Sequence, residues 1–224
     1  MGIIKIKNVS RKPSIILLRV VVLFLMIFLL PVYTILSLLI LVVDGWPFIF
    51  VQKRVGLNGK NFKLYKFRTM YKGADKDKER YRKLNEASGP VFKINKDPRF
   101  HRLGAFLSHS GMDELPQFWN IVRGEMSIIG PRPLPIDESK RISKKYKIRE
   151  SILPGIVSPW IFNGYHKMSF EDWMRSDMEY VKNKSFIGDL KLVFMATALL
   201  IGLILRESFD ILTRFLKSGL LFHK

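Results

Sequence analysis

Two adjacent carboxylates, Asp113 and Glu114, stand inside SHSGMDELPQFWNIVRGEMSIIGPRP (residues 108–133), in a chain with 38 Lys+Arg, 19 Asp+Glu and a formal net charge of +19. Leu115, Phe118, Trp119 and Val122 recur at helical spacing, and Gly124 is a fitting stop. Pro116 is tolerated only in a first turn, so a helix is predicted to begin near Met112 or Asp113. Both acids then lie at the positive end of that helix, where free N–H groups favour anions, depress a carboxylate pKa and keep the group ionised. Successive helical residues point about 100° apart, so the two acids suit different tasks. One can attack or bind a substrate while the other holds a metal ion. The competing explanation is ordinary capping, because Asp and Glu are common in first turns.

Cations suited to phosphate lie nearby in sequence. In GPRP (residues 130–133), Pro131 and Pro133 stiffen the backbone around Arg132, and a stiffly held guanidinium suits bidentate phosphate recognition. Lys66 and Arg68, two apart in a β-patterned run, project from one strand face and could converge on a diphosphate; a solvated strand edge is the alternative. The turn-rich DPRFHRLG (residues 97–104), with Arg99, is a basic segment placed to line a site. The chain has no Walker-type glycine loop, dinucleotide fingerprint or Ser-His-Asp signature.

Composition narrows the partners. Hydrophobic residues make up 48% of 224, enough for one domain with appendages and too many for charge-driven disorder. Zero cysteines exclude a disulfide framework, a thiolate zinc site and a cysteine nucleophile. The cation excess calls for an anionic partner: nucleic acid, acidic lipid or a phosphorylated substrate.

The elements that must carry these residues read as α+β. Residues 20–43, VVVLFLMIFLLPVYTILSLLILVV, are uncharged and exceed the roughly 20 residues that span a bilayer. Yet Lys5, Lys7, Arg11, Lys12 and Arg19 precede the run while Lys53, Arg54, Lys60, Lys63 and Lys66 follow it, so both flanks claim the cytoplasmic side. Pro31 near the middle should kink the helix. A re-entrant helix satisfies both features better than a spanning one, provided the backbone freed at the kink finds a partner. FIFVQKRVGLNGKNFKLYKFRTM is two strands around Asn58-Gly59, a hairpin. KGADKDKERYRKLNEASG reads as a charged helix and loop, and LPGI and FNGY as further loops. The apolar block at residues 192–205 is too short to span and reads as a core or interfacial helix, followed by an amphipathic tail. The predicted division is a basic segment with the re-entrant helix (1–46), a catalytic domain (47–190) and C-terminal apolar or amphipathic interfacial helices (191–224).

Taken in order, KFRTM, GPVFK, DPR, DELPQFWN, GEMSIIGPRP and PGI resemble the bacterial sugar transferases, the monotopic phosphoglycosyl transferases acting on polyprenyl phosphate, from about residue 17 to 205. The resemblance implies a re-entrant membrane helix kinked at Pro31 and a catalytic domain on the cytosolic face of the bacterial inner membrane. It further implies transfer of a sugar phosphate from a UDP-sugar to undecaprenyl phosphate, an early membrane step of surface-glycan or exopolysaccharide assembly. By the same resemblance Asp113 is the nucleophile, and Glu114 with Asp113 binds Mg²⁺. Lys66, Arg68, Arg99, Gln117, Pro131 and Arg132 serve the substrates. Membrane lipids are expected partners and nucleic acid is not; a homodimer stays open. The chain departs from the family at Ser108, His109, Ser110 and Gly111, and at Leu153, where arginines are usual; Arg102, His109 and Arg149 are candidate replacements. A weakened relative serving as scaffold, and a membrane-tethered nucleic-acid binder, are the competing functions.

Overall fold

Pro31 divides the apolar run into two helices. A computed structural model describes residues 13–163 and 168–220; Lys5, Lys7, Arg11, Lys12 and part of the FNGY loop lie outside them. Helix α1 (Pro13–Phe28) and helix α2 (Leu30–Asp44) meet at 60°. Pro31, in the first turn of α2, has no N–H and its ring crowds the preceding turn, which breaks the ladder there. Backbone groups at the break find partners: Leu29 N–H donates to Leu25 O at 2.9 Å, and the Leu29 carbonyl accepts from Tyr33 N–H at 3.0 Å. The Thr34 hydroxyl donates to Leu30 O, a back-bond that itself favours bending.

Strands β1 (Ile49–Val55) and β2 (Asn61–Phe67) form the predicted antiparallel hairpin, Phe50 opposite Lys66 and Arg54 opposite Phe62. Asn58 and Gly59 carry the loop at φ 55° and 73°, the left-handed region that Asn and Gly tolerate. Both apolar helices pack on the hairpin. Val22 of α1 packs with Leu64, Ile121 and Met126, and Leu36 and Ile40 of α2 pack with Phe67 and Leu107. Other apolar side chains of the two helices, Phe24, Phe28 and Val42 among them, are exposed.

Beyond the hairpin the chain is short elements: helix α3 (Gly104–His109), a 3₁₀ turn Met112–Gln117, helix α4 (Phe118–Val122), strand β3 (Ser127–Ile129), helix α5 (Ile136–Arg141), a 3₁₀ turn Lys144–Ser151 and strand β4 (Gly155–Val157), parallel to β3. Helices α6 (Phe170–Asn183) and α7 (Phe186–Leu220) end the described chain. The protein is therefore mixed helix and sheet, as expected.

One expectation fails outright, and a second fails in its length and in its core alternative. Residues 72–81 form successive turns rather than a helix, with bonds such as Lys76 N–H to Gly73 O and Asp77 N–H to Ala74 O. The segment is polar on every side and has no apolar stripe to bury, so packing cannot stabilise a helix there. The block at 192–205 is the middle of α7, whose stretch Phe186–Asp210 is long and apolar enough to cross a membrane and none of whose apolar window is buried. It is no core helix. Lys191 and Arg206, the charged residues on either side of the block, lie within the same helix.

Candidate active site

The turn that carries the two acids is built as the proline requires. Gly111 enters it in the left-handed conformation at φ 74°; six residues follow in 3₁₀ geometry with Pro116 inside; α4 then continues to Val122. From below, Tyr33 Oη donates to Leu115 O at 2.6 Å, tying the turn to α2. Asn120, wholly buried, locks α4 to β2: its Nδ2 donates to Lys63 O at 2.7 Å and its Oδ1 accepts from Tyr65 N–H at 3.3 Å. Strand β2 is thereby fixed with Lys66 facing the acids.

Lys66 is the centre of the cluster. Its Nζ lies 3.1 Å from Asp113 Oδ2 and 2.7 Å from Glu114 Oε1, and Arg132 Nη1 reaches the same Glu114 oxygen at 3.3 Å. The two acids do not point to separate places; both converge on one ammonium. Their electrostatics differ all the same. Burial pushes Asp113 up to about 6, with Lys66 pulling the other way and the Glu114 charge adding to the rise. Burial also opposes ionisation of Glu114, but Lys66 and Arg132 together outweigh it and hold that carboxyl well below the ordinary range. The predicted depression thus holds for Glu114 and fails for Asp113. Asp113 is only 5% exposed, and a short 3₁₀ turn with one cation does not offset that loss of water.

Beside the acids is a small cleft lined by Arg54, Leu64, Lys66, Glu114, Gln117, Arg132, Pro133, Gly155 and Ile156, with about 10 Å³ of room, no more than one water needs. Gln117, 2% exposed, belongs to it, and Pro131 supports it from behind by accepting Gly155 N–H at 3.1 Å. Arg54, noted in the sequence only as a flanking charge, is the addition. Burial first, then neighbouring Arg132, lower it to about 10, which leaves it cationic at neutral pH. The signal was available: with Asn58-Gly59 at the turn, Arg54 and Lys66 face the same side of the hairpin.

Other cations are placed elsewhere. Arg68 lies one residue past β2, and its Nη2 bonds Asp44 O and Gly45 O at 2.7 Å each and Asp44 Oδ2 at 2.9 Å. It ties the hairpin to the C-terminal end of α2, where carbonyls and the helix dipole attract a cation, and does not join Lys66 at the acids. Arg99 makes a buried bidentate pair with Asp97, Nε to Oδ1 at 2.9 Å and Nη2 to Oδ2 at 2.6 Å. The DPR turn braces its own loop through that pair. Arg102 is exposed, His109 Nε2 sits on Asn95 O at 3.1 Å, and Arg149 is buried against Asp177.

For a divalent cation the available donors are the Asp113 and Glu114 carboxylates; no group of three His, Asp or Glu occurs among the described residues. Two hard oxygen donors fit Mg²⁺, which is commonly held by one or two carboxylates with substrate phosphates completing the shell.

Comparison with known proteins identifies the family. Residues 14–202 match the family described as bacterial sugar transferase. The galactosyl transferase CpsE of Streptococcus agalactiae is 37% identical over 68% of this chain and 34% of its own length. The exopolysaccharide production protein ExoY of Rhizobium meliloti is 34% identical over 73% of this chain and 74% of its own. The undecaprenyl-phosphate galactose phosphotransferase of Salmonella typhimurium is 33% identical over 67% of this chain and 33% of its own. This chain therefore spans about a third of the longer relatives and about three quarters of ExoY. With the family match covering most of the sequence, the chain belongs to the bacterial sugar transferase family.

Proposed function

We propose that the protein transfers a sugar 1-phosphate from a UDP-sugar to undecaprenyl phosphate, releasing UMP and leaving a polyprenyl-diphospho-sugar for surface-glycan assembly. The observation that carries this reading is the convergence of Asp113 and Glu114 on Lys66 beside a cleft lined by Arg54 and Arg132. At about 10 Å³ the cleft is far smaller than the roughly 300–1,000 Å³ of pockets that enclose a ligand. The donor therefore lies across its mouth, its diphosphate towards the cations.

Asp113 Oδ attacks the phosphorus bearing the sugar; the bond to UMP breaks, and UMP departs with the electron pair. An oxygen of polyprenyl phosphate then attacks the same phosphorus and returns the Asp113 carboxylate. Lys66, Arg54 and Arg132 offset charge that would otherwise repel the anionic nucleophile. Glu114, kept ionised by its two cations, would hold Mg²⁺ with Asp113; the ion, when bound, withdraws charge from the phosphoryl oxygens. A covalent intermediate lets a water-soluble donor and a lipid acceptor use one site in turn. UMP release from a panel of UDP-sugars, measured with and without polyprenyl phosphate, tests the proposal: release dependent on one sugar is expected. No release from any donor would leave the scaffold reading in its place.

The same reading includes a re-entrant α1–α2 pair with the catalytic part on the cytosolic face. Both ends of the apolar run meet one body: a Cβ on Gly124 would fall 1.9 Å from Arg19 Nη2, and Asp44 is held by Arg68. A straight span would place those ends on opposite sides of a bilayer. Helix α7 is held similarly. Asp189 bonds Tyr180 and Lys184 near one end, Glu207 lies 3.9 Å from His109 near the other, and half-covered Leu192, Val193, Ala196, Leu203 and Ile204 face inward between them. It lies along the domain with its apolar outer face towards lipid. Because the sequence has no cysteine, Lys7→Cys and Asn58→Cys can each report topology. Both should resist a membrane-impermeant thiol reagent in intact cells; labelling at just one site would indicate a crossing helix.

A further inference from the structure

Arg132 takes its position from a backbone whose carbonyls are all occupied. Ser158 Oγ donates to Gly130 O at 3.0 Å, Gly155 N–H to Pro131 O at 3.1 Å, Arg149 Nη2 to Arg132 O at 2.7 Å, Arg54 Nη1 to Pro133 O at 3.0 Å, and Val55 N–H to Leu134 O at 3.0 Å. The donor on Arg132 itself differs from the rest. Arg149 comes from the Lys144–Ser151 turn, is only 4% exposed, and also bonds Asp177 Oδ2 through Nε at 3.0 Å and Nη2 at 2.7 Å. Asp177, on α6, is entirely buried.

A buried ion pair is a poor source of net stability, because removing both charges from water offsets most of their attraction. Apolar side chains of the same volume would pack this interior at least as well. What they could not do is grip a carbonyl. We propose that Arg149, held by Asp177, is a positioning residue for the transfer reaction, acting through the Arg132 carbonyl to hold the Arg132 guanidinium over Glu114. Arg132 Nη1 meets Glu114 at 3.3 Å, near the long limit of a hydrogen bond, so a small shift of the loop would break the contact. This use of the pair rests on the transferase reading for its kinetic consequence, though not for its structural one.

The test uses the full chain in lipid nanodiscs. Asp177→Asn keeps the shape and removes the charge; Arg149→Lys keeps a charge and removes the planar fork that serves two acceptors. Each should slow UMP release on the order of tenfold to a hundredfold, the scale of a reacting group displaced by about 1 Å. In an Arg132→Ala background neither should cause further loss, since the effect runs through Arg132. Amide exchange should quicken at Gly130, Gly155 and Val55, whose N–H groups tie this segment to its neighbours, and stay unchanged along β2. Additional loss in the Arg132→Ala background, exchange that rises throughout the protein, unaltered exchange at those three amides, or failure of both variants to fold would each overturn the proposal. Exchange needs no substrate. A wild-type protein without transferase activity would therefore remove the functional reading alone, leaving the positioning role to be decided by exchange.

Discussion

Asp113→Asn abolishes UMP release and, at neutral pH, makes the protein harder to unfold. The first effect follows from the proposed covalent step: an amide cannot supply the anionic oxygen, and loss of a nucleophile lowers turnover by at least about 10⁴-fold. Wild-type protein given a UDP-sugar without lipid should release UMP up to one equivalent and gain the mass of a sugar phosphate on the peptide containing Asp113. The variant should do neither. Wild-type turnover should fall as pH drops through about 6, where the buried carboxyl takes up its proton. The second effect follows from the same burial. Asp113 ionises near its ordinary value of 3.8 in the unfolded chain but only near 6 in the fold. Its cost to the native state is absent below the lower value, grows between the two and is complete above the higher one. That cost is roughly 2–3 kcal/mol. Asn mimics the protonated acid and escapes it, so the variant should gain stability at about pH 8 and little at about pH 4. Equal stability of the two proteins at about pH 8 would contradict the electrostatics assigned to Asp113. Residual UMP release, free of deamidated product, would contradict the covalent mechanism.

What the sequence disclosed here, and what it withheld, divides by range. The hairpin was readable because alternation and Asn58-Gly59 act within a few residues, and the strands and turn appear at those positions. The break at Pro31 was readable for the same reason. The start of the acidic turn at Met112 followed from one proline. Spacing can assign a residue to a face but cannot say what stands opposite. Lys66 and Arg68 share a pattern, yet Lys66 meets Asp113 and Glu114 while Arg68 is taken by the end of α2, more than twenty residues back in the chain. Arg99 reads as a substrate-binding residue in a segment that lines a site, whereas its partner Asp97 stands in the same three-residue motif. Arg149 looked like a substitute for a missing phosphate arginine; its partner is on α6. Charge excess suggested many available cations, whereas several of the best-placed ones are committed to the scaffold. Depression of the Asp113 pKa failed because helix-end arguments assume solvent at the helix end, and here the turn is buried beneath β2 and α2.

Lys66→Met removes the group on which both acids converge, and its effect should depend on pH in a way that a simple packing defect would not. Glu114 keeps Arg132 at 3.3 Å and stays ionised. Asp113 loses its only directly bonded cation among the described residues and keeps the adjacent negative charge of Glu114. Breaking a buried pair by deleting one partner costs about 3–5 kcal/mol, because the remaining charge is left uncompensated. That loss should appear in full at about pH 8, where the fold must carry an ionised Asp113, and shrink towards about pH 5, where the carboxyl is protonated and carries no charge. Turnover should vanish at every pH, since the donor diphosphate loses a neutralising cation and the nucleophile is harder to ionise. Adding Asp113→Asn to Lys66→Met should restore most of the lost stability at about pH 8 while restoring no activity, a coupling between the two sites that denaturant unfolding of all four proteins measures directly. Equal destabilisation at both pH values, with no recovery in the double variant, would mean that Lys66 matters for packing and not for charge. In that case the assignment of Asp113 as a buried, Lys66-balanced nucleophile would fall with it.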